Sequence, residues 1–303
     1  MTKKTKRYLF FVAVFLFFVI GCSAVFFALG YQYDFVQRKI LKTGSIEIKS
    51  NVDFEVYINE KLAGSTSFLS NSFSRGRLLP RTYKVRVEKE GYQSWEKLIK
   101  VEAGFLSSFP KVFLVPEVFN EELVASSSMT KVSLREFDPE NGVAVIGSTV
   151  GNKQKLDYIN LKTGQKESVT SIVSADKNKQ VAVPTGSTMP RLVTSPDKSK
   201  NAIFYDYEIW AEWSKDSNFQ PYHVVGDKKF VMRSSQKISD IQWYKDSEHL
   251  LVSVGGILKM VEIDSRDGVN IFEITDLDGP FYYDKELGFI FKFEGNNLFK
   301  LAI

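Results

Sequence analysis

Cysteine and histidine are nearly missing from this 303-residue chain, which holds one cysteine, Cys22, and two histidines, His223 and His249. A single thiol excludes an intramolecular disulfide, so any folded domain must be held by its core alone. Two imidazoles leave little material for a His-rich metal site or a histidine general base. Neither sign of charge dominates. The 40 basic and 36 acidic residues leave +4, and part of that excess sits in the first seven positions, so nothing points to nucleic acid. Also lacking are a Gly-x-Ser-x-Gly elbow, a phosphate loop, a His-Glu-x-x-His pair and a Cys-x-x-Cys pair. The expectation is a protein without a catalytic site, cofactor or metal.

What is abundant is aromatic: 25 Phe and 13 Tyr which, with many Val and Ile, suit half-buried strands better than helices. The length allows two soluble domains and an anchor. Residues 8–30 run for 23 positions without a charge. As a helix rising about 1.5 Å per residue they span the roughly 30 Å hydrocarbon layer. A cleaved signal would carry a shorter apolar stretch of about 7–15 residues. The reading is therefore an uncleaved transmembrane helix with the lipid bilayer as partner. A competing reading takes Val19, Ile20, Gly21 and Cys22 as a relaxed lipobox with a lipidated Cys22, but the apolar run continues past the cysteine through Leu29. Lys3, Lys4, Lys6 and Arg7 crowd the tail before the helix, which predicts a cytoplasmic N-terminus and C-terminal domains outside the cell membrane. Tyr31 and Tyr33 suit the outer interface as aromatic anchors.

Residues 32–42 read as a connector. Strict alternation then begins at Ser45-Ile46-Glu47-Ile48-Lys49, and returns at Phe54-Glu55-Val56-Tyr57-Ile58 and Tyr83-Lys84-Val85-Arg86-Val87. With Leu98–Val101 and Val112–Val115, about five or six short strands and their turns give the signature of a small β-sandwich over residues 43–117. Within it, Leu79-Pro80-Arg81-Thr82-Tyr83-Lys84-Val85-Arg86-Val87 leads into Lys89-Glu90-Gly91-Tyr92. Earlier, Val56-Tyr57-Ile58-Asn59-Glu60 precedes Gly64-Ser65-Thr66-Ser67. This segment resembles a PEGA domain, an Ig-like sandwich of bacterial and archaeal surface proteins. The four residues that name that family would fall at Asn51, Val52, Asp53 and Phe54, none of which is kept, and the turn glycine is Arg81. The resemblance implies a scaffold, with Gly91 in a positive-φ turn and Tyr92 and Trp95 packed over the end of the sandwich.

Residues 118–130 read as a linker around Ala125-Ser126-Ser127-Ser128. From 131 to 303 come about four units of roughly 35–50 residues, a period that suggests propeller blades. Ser195-Pro196-Asp197-Lys198 and Trp243-Tyr244-Lys245-Asp246-Ser247 each precede an apolar strand. An acidic residue there can accept backbone N–H bonds. These turns resemble the WD40-like repeats of TolB-type propellers. Four units would make a small or incomplete ring, with a flattened sandwich or an open array of sheets as the alternative. The fold class expected is thus all-β after one transmembrane helix, an Ig-like sandwich followed by a propeller-like domain. A last apolar strand through Leu301, Ala302 and Ile303 would need a pairing partner to avoid an open edge.

Paired acids beside glycine, Asp264 to Gly268 and Asp276 to Gly279, admit a calcium reading but lack the full loop spacing and read as hairpin turns. Tyr205, Tyr207, Trp210 and Trp213 cluster closely enough to form a stacking surface for a sugar or a protein, the alternative being core packing between strands. The function expected is non-enzymatic: an envelope protein presenting β domains for binding or scaffolding of surface protein or wall glycan. The alternative is an accessory or sensor subunit that presents substrate to a separate catalytic partner.

Overall fold

The computed structural model describes residues 3–67, 70–172 and 190–303. The chain divides into two compact units, Met1–Lys89 with Ser94–Leu114, and Glu90–Gln93 with Val115–Ile303.

The first unit opens with helix α1 (Lys3–Ala28), which has no buried residue and whose most apolar stretch has a mean hydropathy of 2.8, long and apolar enough to cross a membrane. It is apolar on every side, as lipid-facing helices are and as water-facing helices are not. Gly30 ends it in the left-handed region at φ 81°, where a side chain would be strained. Residues 32–42, expected as a connector, instead contribute to a hairpin of β1 (Tyr31–Asp34) and β2 (Lys39–Lys42). Its turn is held by Asp34, whose Oδ1 accepts the N–H of Val36 at 2.8 Å and of Gln37 at 3.3 Å.

Seven strands follow: β3 (Gly44–Ser50), β4 (Glu55–Ile58), β5 (Lys61–Ser65), β6 (Ser72–Leu78), β7 (Thr82–Glu88), β8 (Trp95–Lys100) and β9 (Leu106–Val112). They form two sheets, β6-β3-β9 and β5-β4-β7-β8, the arrangement of a small sandwich. Alternation places Ile46 and Ile48 from one sheet and Val56, Val85 and Val87 from the other at 0% exposure. Each such burial stabilises by about 1.5–3 kcal/mol. Trp95 does not cap the end of the sandwich as expected. It lies on the inner face of β8 at 1% exposure and meets Phe109 of the other sheet edge to face, with ring centroids 5.4 Å apart. The alternation of Trp95, Lys97 and Ile99 sends it inward. Gly91 has φ 78°, the turn conformation expected of it. Residues 112–115 are buried but lie largely beyond β9, and Asn51 clamps them by accepting the Leu114 N–H at 2.8 Å and donating to its carbonyl at 3.1 Å.

Among its described residues the second unit contains four four-stranded sheets. The first comprises β11 (Leu134–Asp138), β12 (Val143–Val150), β13 (Lys153–Asn160) and β14 (Lys166–Ile172), preceded in the chain by β10 (Glu121–Ser126). The second has β15 (Arg191–Thr194), β16 (Lys200–Phe204), β17 (Glu208–Trp213) and β18 (Lys228–Arg233). The third has β19 (Ile238–Trp243), β20 (His249–Val254), β21 (Ile257–Glu262) and β22 (Ile271–Asp276). The last has only three consecutive strands, β23 (Phe281–Asp284), β24 (Phe289–Glu294) and β25 (Asn297–Ala302), and β10 completes it as the fourth. Consecutive antiparallel strands in four-stranded sheets are the blades of a propeller.

Residues 118–130 are therefore not a simple linker. The C-terminal strand finds its partner there, with Glu121 opposite Leu301 and Ser126 opposite Asn297. The chain then passes to the first sheet through Ser127, whose hydroxyl donates to the fully buried Asp157 at 2.6 Å. Phe137 of the first sheet stacks on Phe293 of the last at 4.9 Å, within a cluster that includes Ile146, Ile159, Phe291 and Leu298. Second and third sheets meet where the Trp243 indole donates to the Val193 carbonyl at 2.8 Å, and third and fourth where Gln242 donates to Phe281 at 3.0 Å.

Each sheet repeats one turn device between its first two strands. Asp138, Asp197, Asp246 and Asp284 all accept backbone N–H bonds from residues two or three positions on. Such turns fix the hairpin register and so the face each next strand buries.

Leu298 is fully buried in the cluster shared by the last and first sheets. Leu298→Ala should remove about 2–5 kcal/mol from the second unit. Urea unfolding of the detergent-solubilised chain checks this; the transition reported by Trp213 and Trp243 should move to lower urea, and that of the sandwich should stay in place.

Candidate binding surface and the buried histidines

Strand β17 alternates cleanly, with Ile209, Ala211 and Trp213 buried and Glu208, Trp210 and Glu212 on the opposite face. The four aromatics singled out by their spacing therefore do not form one platform. Trp213 is 4% exposed and belongs to the core of the second and third sheets. Tyr205 is half-buried, and Tyr207 is exposed in the turn before β17. Trp210 is half-buried and pairs across the strands with Phe230 of β18, a residue that sequence spacing did not reveal because it lies on the next strand.

The Trp210 and Phe230 rings meet edge to face, with centroids 5.3 Å apart. A register shift between Ile209 and Trp210 lets them sit directly opposite each other. Lys228 places its Nζ 5.5 Å from the Trp210 ring. The Trp210 indole N–H donates to Glu208 Oε2 at 3.1 Å, and Glu208 Oε1 receives Arg233 Nε at 2.9 Å. Arg233 and the indole hold the Glu208 carboxyl below its usual range. The result is an aromatic pair across β17 and the edge strand β18, framed by a cation and an ion pair. An aromatic ring offers a sugar or an extended peptide an apolar face, and the charged frame orients polar groups.

Both histidines are taken up structurally. The His223 ring stacks on Trp213 at 3.7 Å, with Nδ1 3.1 Å from Asp227 Oδ2. Burial is the main cause of its lowered pKa, outweighing the carboxylate. The nearby Ser217 hydroxyl accepts the His223 backbone N–H at 2.6 Å and donates to the Pro221 carbonyl at 3.1 Å, so it serves the loop backbone. His249 is 1% exposed, with Nδ1 2.8 Å from Asp246 Oδ2. Alongside it Lys200, also buried, crosses from the second sheet to bind Glu248 at 2.6 Å and the Ser247 carbonyl at 3.2 Å.

In each acidic turn considered for calcium, one carboxylate holds a cation of the chain. Asp264 receives Arg266 Nε at 3.0 Å and Nη2 at 2.5 Å, and Asp278 receives Arg135 at 3.0 Å and the Gly295 N–H at 2.9 Å. Among the described residues no group of three His, Cys, Asp or Glu side chains is placed to hold a metal ion.

One apolar helix, a seven-strand sandwich and a propeller-like unit define a class of protein in which β domains are carried on a membrane anchor. Residues 43–110 match the PEGA domain. Together these fit a membrane-anchored surface protein. No curated protein matches the chain. Among solved structures it resembles the extracellular domain of a hybrid two component system of B. thetaiotaomicron at 12% identity and TM-score 0.28, covering 90% of this chain and 31% of that one. It also resembles TolB from Acinetobacter baumannii at 11% identity and TM-score 0.25, with 83% of this chain and 63% of that one covered. A protein from Lactobacillus plantarum matches at 11% identity and TM-score 0.26, over 88% of this chain and 84% of that one. The chain thus spans about a third of the length of the B. thetaiotaomicron chain.

The buried His249 makes stability depend on pH. Burial by itself would push its pKa down, but Asp246, Glu262 and Glu248 outweigh it and raise the pKa above 6.5. A raised folded pKa means the contribution is fully present below 6.5 and is lost as pH climbs through the folded value. Glu248, raised by burial, adds a slope of the same sign, and Asp246, lowered chiefly by His249 against its burial, matters only on acidification. The melting temperature of the second unit should therefore fall as the pH is raised above 6.5. His249→Gln should flatten that slope in a thermal melt series.

Proposed function

We propose that the chain is a non-enzymatic envelope protein, anchored through α1 with its basic tail in the cytoplasm, that holds its two β units outside for binding surface protein or wall glycan. The observation that carries the reading is the join of a wholly unburied apolar helix to folded β structure within two residues, Ala28 to Tyr31. Such a join makes the helix an anchor whose purpose is to hold a folded unit at the membrane. Lys3, Lys4, Lys6 and Arg7 on the other side of the apolar run support the cytoplasmic placement of the tail. The use of both histidines in packing supports a binding role over a catalytic one. The Trp210 and Phe230 pair is the surface assigned to the ligand.

Two measurements test this reading. Protease added to spheroplasts should digest the β units and leave the basic tail protected; full protection of the second unit would reverse the orientation. In sedimentation with isolated wall glycan or surface-protein fractions, Trp210→Ala combined with Phe230→Ala should weaken binding at least about tenfold, the loss typical of a central aromatic anchor. Unchanged binding would remove this face from the proposal, and a stable complex with one catalytic protein would favour an accessory subunit instead.

A further inference from the structure

The membrane-proximal end of the sandwich carries an apolar surface with cations about it, and the chain's own connections say what covers it. The Thr43 N–H and hydroxyl both donate to the Gly30 carbonyl at 2.8 Å, tying the end of the helix to the start of β3. Thr43 in turn accepts the Gly104 N–H at 3.0 Å, and Ser45 donates to the Phe105 carbonyl at 3.0 Å, which brings the loop before β9 to the same place. Arg77, near the end of β6, lays its guanidinium over the Phe27 ring of the helix at 3.9 Å. The start of β7 joins them through the ion pair of Arg81 with Asp34 at 3.0 Å. The β1-β2 hairpin therefore reaches from the β3 end, in one sheet, to the β7 end, in the other. Four extended residues cover about 13 Å, enough to cross between sheets packed about 10 Å apart.

The two faces of this hairpin differ. Pairing places Gln32, Asp34, Lys39 and Leu41 on one face and Tyr31, Tyr33, Ile40 and Lys42 on the other. On the first face Asp34 is buried and Leu41 half-buried while Gln32 and Lys39 are exposed; on the second Tyr31, Tyr33 and Ile40 are all exposed. The face with the two tyrosines and the isoleucine thus lies open, the reverse of a hairpin solvated by water. At its tip Phe35 and Val36 are 84% and 83% exposed, and Phe105 is 66% exposed. The outward face is on the helix side, since the Tyr31 ring meets Phe26 edge to face at 5.8 Å. Among the described residues Arg38, Lys39, Lys42 and Arg77 stand in no ion pair, and the acids at this end already hold cations, Asp34 with Arg81 and Glu102 with Lys100 at 3.3 Å.

We propose that this end of the sandwich is a second membrane contact. Tyr33, Phe35, Val36, Ile40 and Phe105 enter the interfacial layer of the bilayer that holds α1, and Arg38, Lys39, Lys42 and Arg77 bind the phosphates of its anionic lipids. Aromatic rings favour the headgroup level, and clustered cations next to a spanning helix favour anionic lipid. Since α1 delivers the hairpin to that level, the contact costs little further ordering. The proposal rests on α1 spanning the bilayer.

The test uses the full chain with Cys22→Ser and one new cysteine, in place of Val36, Phe105 or, as a control at the opposite end of the sandwich, Ser70, next to the Lys49 and Ser72 pair that ends β3 away from the helix. Each is labelled with an environment-sensitive fluorophore in nanodiscs of phosphatidylcholine and phosphatidylglycerol containing a headgroup-depth spin-labelled lipid. Labels at 36 and 105 should be quenched and blue-shifted, and the label at 70 should not. Replacing phosphatidylglycerol by phosphatidylcholine, or combining Arg38→Gln, Lys39→Gln and Lys42→Gln, should cut the quenching at 36 by about half or more, the loss expected when surface attraction is removed. A chain that enters nanodiscs and resists carbonate extraction but shows unquenched labels at 36 and 105 overturns the second contact and leaves the anchor standing. A chain that fails to enter nanodiscs overturns both.

Discussion

The pairing of β10 with β25 is the interaction on which the second unit depends. Its last sheet has three consecutive strands, and the fourth comes from the beginning of the unit. An unpaired β25 would leave a row of backbone donors and acceptors on an apolar strand, the situation in which sheets recruit other chains. With β10 in place that row is used internally. The chain running on from it sets Ser127 against Asp157 and Met129 in the core shared by first and last sheets. One strand therefore completes a sheet, blunts an edge and joins the two extremes of the repeat array.

The junctions between sheets are unusually polar for such deep positions. Lys200 crosses from the second sheet to Glu248 of the third, and Ser127, coming in from the last sheet, binds Asp157 of the first; beside these crossings, within single sheets, lie His249 with Asp246 and Ser168 with Asp157. Taking a charge out of water costs several kcal/mol, so such groups are tolerated only where the partner geometry is met. Each demands one alignment of its neighbours. Aliphatic packing alone would accept many slightly rotated arrangements of four similar sheets; Lys200 reaching the turn of the next sheet accepts few.

The sequence carried the plan of the fold in its alternation and its turns. The sandwich strands around Ile46, Val56 and Val85 announce themselves because one face is apolar and the other charged, and the turns at Asp197 and Asp246 mark the first hairpins of two propeller sheets, whereas the equivalent turns at Asp138 and Asp284 came only from the structure. What stayed hidden has a common cause. Strands β5 and β6 hold Gly, Ser and Arg where large apolar residues would signal a strand, and their places come from neighbours in the sheet. Strand β10 lay in a serine-rich stretch that reads as a linker, and nothing local in Glu121 to Ser126 points to Leu301. The aromatic cluster was half legible. Alternation separates Trp210 from Trp213, but the partner of Trp210 lies across a strand pair, at Phe230. Long-range pairing of this kind is a property of the assembled sheet.

The same closing strand has a consequence for how the protein is made. On a chain that emerges from its N-terminus, β10 appears before every other strand of the second unit, and its partner β25 is the last of the described strands to appear. The strand pairing of greatest sequence separation among the described residues of the unit is thus also the one that completes it, which slows closure and lengthens the life of intermediates with an open edge. With its single cysteine in α1, the chain has no disulfide to guide the closure of its β units. A binding factor that shields apolar strand edges until β25 is made is the kind of assistance the topology calls for. The anchor works to the same end, since holding each emerging chain in the plane of the membrane restricts the encounters through which one molecule's β10 could complete another's last sheet.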